Sequence, residues 1–217
     1  MKLNQVVIAV PTNGEKEVIR RDFKEAECKW IVCGVGPAMA AQEVTAAILK
    51  ERPSLVILVG ICGIFKSYGR LPGSLFIAQS ETYGDLGRCT GERIEPIVIA
   101  GNALDIHFDL MPYIAAFSLE PFLNQFDISL GHMVTVSCTS SSEDRPLLGS
   151  ISRKYICENM EGAGVAQACV RYGVPLLEIR AGSNLVGDQN PSNWQIKPAL
   201  KNLSKAMVPL LEHIKMI

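Results

Sequence analysis

The sequence has no apolar run long enough to cross a bilayer. Its most apolar stretch, LVILVGICGIF at residues 55–65, falls well short of the ~20 residues a spanning helix needs. No secretory leader is expected either: MKLNQVVIAV meets Pro11 before the ~7–15-residue apolar core and small-residue cleavage pattern of one can form. There is no charge excess, with 21 Lys+Arg against 22 Asp+Glu and a net charge of -1. Neither nucleic acid nor an anionic membrane is therefore expected as a partner. No CxxC occurs among the seven cysteines; an odd number scattered through strands and loops reads as reduced thiols packed as small hydrophobes, hence a cytoplasmic protein. The three histidines, His107, His132 and His213, stand apart from every motif and from any metal-ligand spacing. GxGxxG, Walker and GxSxG patterns are missing, which disfavours dinucleotide binding, P-loop chemistry and a Ser-His-Asp hydrolase. No metal or organic cofactor is expected. No repeat, linker or low-complexity tract divides residues 1–217, so a single domain is expected.

What is present is an alternation of short aliphatic runs with amphipathic stretches. Val6–Val10, residues 30–35, Leu55–Val59, residues 75–78, 97–99, 133–136, 155–157 and 176–179 read as strands. Residues 15–23, 36–50, 160–172 and 196–217 read as helices, the last with Leu200, Leu203, Met207, Leu210, Leu211 and Ile214 near helical spacing and Pro209 as a possible bend. Unbroken aliphatic runs suit strands covered on both faces. The pattern predicts an α/β fold in three layers, α/β/α. In such folds ligands gather at the carboxyl ends of strands, which directs attention to the segments after Val10, Gly34, Gly60, Cys157 and Arg180.

Those segments are unusual. CGVGPAMAA and VGICGIF place glycines where a strand is expected to end, leaving backbone N–H groups open to a ligand. CENMEGAG places Glu161 at the start of a helix of very small residues, where the dipole and free N–H groups favour an anion. A carboxylate held there can accept both hydroxyls of a vicinal diol, and Met160 beside it suits an apolar sugar face. LLEIRAGSNLVGDQN ends a strand on Arg180, followed by Asn184 and Asp188.

Together these motifs resemble the nucleoside phosphorylase superfamily, in its nucleosidase branch, and within that branch the futalosine hydrolase family, which removes hypoxanthine from futalosine during menaquinone synthesis. GEKEV, GVG, VGICG, ETYGDLG, NMEGAGVA and VPLLEIRAGSNLVGD carry the resemblance; residues 95–150 contribute little. The resemblance implies a central mixed, partly barrel-like sheet between helices. It implies that Met160 and Glu161 bind ribose, that Glu17 activates water, that Arg180 orients that Glu and the ribose region, and that Asn184 meets N7 and the 6-substituent of the purine. Cys62 and Gly63 of the glycine turn, with Asn159, complete the expected substrate contacts. Exposed apolar helix faces and family precedent point to a homo-oligomer, a homodimer or higher.

Asn184 bears on substrate class. Its amide donates from nitrogen and accepts at oxygen, so it can serve a 6-oxo group and a protonated N7, whereas a 6-amino group meets a like donor. Such a buried mismatch costs ~1–3 kcal/mol. Asn has no proton to give at a useful pKa, leaving Asp188, and less readily Asp85, as candidate acids for the leaving base. Phosphorolysis needs a dianion site rich in Arg, but VPTNGEKEV carries two acids and no Arg. Hydrolysis of a 6-oxopurine nucleoside is therefore expected, with Glu17 and Asn184 sharing one cavity. Another purine nucleosidase or phosphorylase of the superfamily, or a non-catalytic nucleoside sensor, is the alternative.

Overall fold

The computed structural model describes residues 2–21, 23, 28–91, 93–145, 147 and 154–216. Its main sheet comprises β1 (Val6–Val10), β2 (Lys29–Val32), β3 (Leu55–Ile64), β4 (Leu75–Tyr83), β5 (His107–Asp109), β6 (Ser129–Thr135), β7 (Tyr155–Asn159) and β8 (Leu176–Leu185). Along the sheet the order is β7-β6-β4-β8-β3-β1-β2, with β5 on β4. β7 also pairs with β3, antiparallel, at Cys157–Ile64 and Glu158–Gly63. That pairing closes β3, β8, β4, β6 and β7 into a five-strand barrel, and β1 and β2 continue from it as an open wing. The sheet is mixed: β8 runs parallel to β3 and antiparallel to β4.

Helices α1 (Asn13–Arg20), α2 (Pro37–Glu51), α3 (Met111–Ala116), α4 (Glu120–Gln125), α5 (Gly162–Tyr172) and α6 (Ile196–Met216) cover it. Side chains of β3 alternate between two cores. Leu55, Ile57 and Val59 pack with the buried stripe of α6, while Val56, Leu58, Cys62 and Ile64 pack with α2 and α5. This is the period-2 alternation of a strand buried on both faces. The helix α6 stripe is the expected one, and all six predicted positions are buried.

Strand extents differ from expectation at three places that matter. β3 does not stop at Gly60; it runs on through Gly63 to Ile64. β4 continues to Tyr83 and β8 to Leu185. The barrel explains this: closure supplies hydrogen-bond partners for backbone beyond the aliphatic runs, and the added residues carry the polar groups described below. The run at 97–99 is not a core strand; Val98–Ile99 pairs with Asn102–Ala103 in an exposed hairpin. Parts of the predicted 15–23 and 196–217 helices, and of the irregular stretch 138–152, lie outside the described residues. Among the described residues, no helix is long and apolar enough to cross a membrane, and no His/Cys/Asp/Glu group is arranged to hold a metal ion.

Candidate active site

One cavity opens at the carboxyl ends of β1, β3, β7 and β8. Its walls include Thr12, Glu15, Cys62, Gly63, Glu158, Asn159, Met160, Glu161, Asn184 and Trp194. The sequence-predicted Met160, Glu161, Asn159, Cys62, Gly63 and Asn184 thus meet in one place. Glu17 and Asp188 do not line it.

The Glu17 expectation is corrected by the rotation of α1. Thr12 caps this helix, its Oγ1 accepting from the Glu15 N–H at 3.2 Å. Glu15 therefore sits in the first turn, with Ile19 four positions on; both are buried. Glu17 falls two positions further, about 200° round the axis, and is exposed. Glu15 is instead the carboxylate that faces the cavity. Its Oε1 accepts from Ile61 N–H at 3.2 Å and its Oε2 from the Thr12 hydroxyl at 2.7 Å. Burial pushes its pKa above the ordinary carboxylate value, against the lowering effects of the Thr12 hydroxyl, the Ile61 N–H and Arg180. The signal was in the sequence: Thr12-x-x-Glu15 is a helix-start spacing, and such an acid points back toward the strand end.

Gly60 makes this arrangement possible. A Cβ there would lie 2.8 Å from Arg180 Nη1, 3.1 Å from Pro11 and 3.2 Å from Glu15 Oε1. A bare backbone lets cation and acid converge on β3.

Arg180 lies fully buried behind the cavity wall. It donates to Glu178 Oε1 at 2.8 Å, Glu161 Oε2 at 3.0 Å and Asn159 Oδ1 at 3.1 Å. It thus orients Glu161, the ribose-site candidate, while its influence on Glu15 is through charge. Glu161 is held a second time by the Gly36 N–H at 3.4 Å. Asn159 is a scaffold residue: its Oδ1 also accepts from the N–H groups of Glu161 and Gly162, at 2.9 and 2.7 Å, and its Nδ2 donates to Glu81 at 2.5 Å. The sequence reading missed Glu81 and Glu178, which complete this cluster, both with no exposed surface. Burial and the neighbouring Glu178 carboxyl raise the pKa of Glu81 well above its ordinary value, which favours its neutral form. Three buried acids around one guanidinium are tolerable only if one is neutral.

Asn184 is aimed by a β-bulge. In β8, Gly182 pairs with Cys62 and Asn184 with Gly63, so Ser183 is an extra residue. Bulges re-aim side chains; both Ser183 and Asn184 line the cavity. Asn184 Oδ1 accepts from the Ser183 hydroxyl at 2.7 Å and Nδ2 donates to Leu185 O at 3.1 Å. One N–H and one lone pair remain for a ligand.

Asp188 serves its own turn. It accepts from Asn190 N–H at 3.0 Å and Asn193 Nδ2 at 3.3 Å, and its carbonyl anchors Trp194 Nε1 at 3.0 Å. Asp85 likewise accepts from Ser137 N–H at 2.7 Å and pairs with Arg145 at 3.2 Å. Neither acid lines the cavity.

A barrel whose strand ends gather a buried carboxylate, a Met-Glu pair and a polar corner at Ser183 and Asn184 has the parts of a nucleoside-handling enzyme. The family model of the phosphorylase superfamily matches residues 5–214, and the chain belongs to that superfamily. Futalosine hydrolase of Streptomyces coelicolor is 35% identical, over 85% of this chain and 80% of that protein. Futalosine hydrolase of Thermus thermophilus is 30% identical, over 88% and 84%. The 5'-methylthioadenosine/S-adenosylhomocysteine nucleosidase of Halalkalibacterium halodurans is 28% identical, over 81% and 75%. In fold the chain matches the Colwellia psychrerythraea nucleosidase solved with adenine (TM-score 0.78, 19% identity, 96% of this chain and 94% of that one). It also matches the native futalosine hydrolase structure of Helicobacter pylori (TM-score 0.77, 17% identity, 95% and 97%). These relatives are nucleosidases, and the chain is an N-glycosyl hydrolase.

Proposed function

We propose that the protein is a futalosine hydrolase, cleaving the N-glycosidic bond of futalosine with water to release hypoxanthine. The carrying observation is the pairing of Glu15 and Asn184 within one cavity. They abut Gly60 and Gly63 respectively, three residues apart on β3, a spacing of roughly 10 Å at the rise of a strand. That spacing suits a nucleoside lying between a water held by Glu15 and a base read by Asn184.

The mechanism follows from the groups. Glu161 accepts hydrogen bonds from the ribose hydroxyls and Met160 packs on the sugar face. As the glycosidic bond lengthens, the anomeric carbon gains oxocarbenium character and Glu15 takes a proton from the attacking water. A buried base with a raised pKa is a better proton acceptor than an exposed carboxylate. The electron pair of the broken bond leaves with hypoxanthine, which takes a proton at N7 from solvent water; Asn184 donates to O6 and accepts from that N7–H. Water as nucleophile, not phosphate, is supported by charge: none of the described residues lining the cavity is Lys or Arg, and Arg180 is already engaged by Glu161 and Glu178. Glu15 also disfavours a mere nucleoside sensor, since binding alone gives no reason to bury a base.

A second reading, an adenine-releasing nucleosidase, is favoured by the Halalkalibacterium relative. A homodimer would cover the apolar side chains exposed near the mouth, Val35 and Met39, and sedimentation velocity tests it. Incubation with futalosine, inosine and methylthioadenosine, with and without phosphate, tests the function. Hypoxanthine release from futalosine, indifferent to phosphate, supports it; preferential methylthioadenosine cleavage or phosphate-dependent turnover overturns it.

A further inference from the structure

We propose that Glu158 is a specificity-determining residue that accepts a hydrogen bond from N1–H of the purine base; this rests on the 6-oxopurine reading above. Glu158 belongs to the same CENMEGAG stretch as the ribose pair, yet nothing in that reading uses it. It is 5% exposed and lines the cavity. Its Cγ lies 3.4 Å, and Asn184 Nδ2 3.5 Å, from the point where a Cβ on Gly63 would sit. The acid and the amide therefore flank the same glycine at the base end of the cavity.

The chemistry of the two groups is complementary to one class of base. A 6-oxopurine presents O6, an acceptor, beside N1–H, a donor. Asn184 offers a free N–H and Glu158 offers carboxylate lone pairs. A 6-aminopurine presents the reverse, an N–H₂ beside a bare N1, so its N1 would face a group that only accepts. The ionised Glu158 carboxylate only accepts, so it adds to the Asn184 amide, itself oriented by Ser183 and Leu185, a second reader of the 6-oxo edge.

Glu158 is held for this task. Ser140 N–H donates to Oε1 at 2.9 Å and Ser140 Oγ donates to Oε2 at 2.5 Å. A carboxylate has about four acceptor sites, so others stay open to the cavity. Asp85 and Arg145 are the charged neighbours that act on it; burial and Asp85 raise its pKa, while the Ser140 bonds and Arg145 lower it. A desolvated carboxylate gains more from a ligand N–H than a hydrated one.

The same Ser140 contacts also anchor the segment 137–140, so the test must separate base reading from loop anchoring. Hypoxanthine and adenine binding are measured by calorimetry on wild type, Glu158→Gln and Ser140→Ala. Wild type should favour hypoxanthine. In Glu158→Gln that preference should fall roughly 10- to 100-fold, the scale of one hydrogen bond to a charged group. Ser140→Ala should keep it within about threefold. An unchanged ratio in folded Glu158→Gln, or an equal change in Ser140→Ala, overturns the proposal while leaving the hydrolase reading intact. Wild-type preference for adenine would sink the 6-oxopurine reading itself. Should Glu158→Gln not fold, 1-methylhypoxanthine decides on wild-type protein: at least tenfold weaker binding than hypoxanthine supports the proposal, and equal binding refutes it.

Discussion

Replacing Glu15 by Gln separates the two acids of the GEKE segment. The amide keeps the size of the side chain and can still accept from Ile61 N–H, so the cavity wall should hold its shape. What it loses is the ability to take a proton. General-base catalysis is worth ~10²–10⁴ in rate, about 2.7–5.4 kcal/mol of barrier. Glu15→Gln should therefore lower kcat by two to four decades, with KM moving only a few-fold because the ribose and base contacts are elsewhere. Glu17 is exposed and touches none of the site; Glu17→Gln should leave kcat within about twofold, as surface substitutions do. Hypoxanthine release from futalosine, followed by a coupled oxidase, measures both. Stability should move the other way for Glu15→Gln: the buried carboxylate has a raised pKa, so its ionised form opposes folding at neutral pH and the amide relieves this. A Glu15→Gln enzyme retaining a tenth or more of wild-type kcat, or a Glu17→Gln enzyme losing as much, would refute the assignment.

The pH dependence should follow. Glu15 works ionised, so kcat/KM should fall on the acid side at a pH above the ordinary glutamate range, and Glu15→Gln should lose that limb; a limb unchanged in the variant would contradict the role. The pKa of Glu81 is raised well above its ordinary value in the fold, so its contribution to stability is full below the unfolded value and is lost as pH rises toward its folded pKa. Urea unfolding at pH 5 and pH 8 should show Glu81→Gln flattening the wild-type loss of stability with rising pH; an unaltered slope would place the proton elsewhere. Asn184→Asp should shift the hypoxanthine-to-adenine nucleoside preference by roughly one to two decades toward adenine, read as a ratio of kcat/KM values; no shift would remove Asn184 from base recognition. Arg180→Met leaves Glu161 and Glu178 buried without their cation and should cost about 3–5 kcal/mol in unfolding free energy; a loss below 1 kcal/mol would contradict the buried cluster.

Local pattern alone determined much of this protein. Aliphatic runs such as LVILV marked the buried strands, and the helical stripe from Leu200 to Ile214 marked α6, because burial periodicity is written residue by residue. The Met-Glu pair reached the site because it sits at the end of one strand, so its placement needs little beyond that strand. Tertiary structure decided the rest. Which acid of GEKE faces inward depends on where Thr12 starts the helix and on how α1 lies over Ile61. Asn184 reaches the cavity through a bulge set by pairing with β3. Glu158 meets it only because β7 returns to close the barrel, and Glu81 and Glu178 join Arg180 from strands distant in sequence. These are long-range juxtapositions, fixed by chain closure and register, and no window of neighbouring residues encodes them.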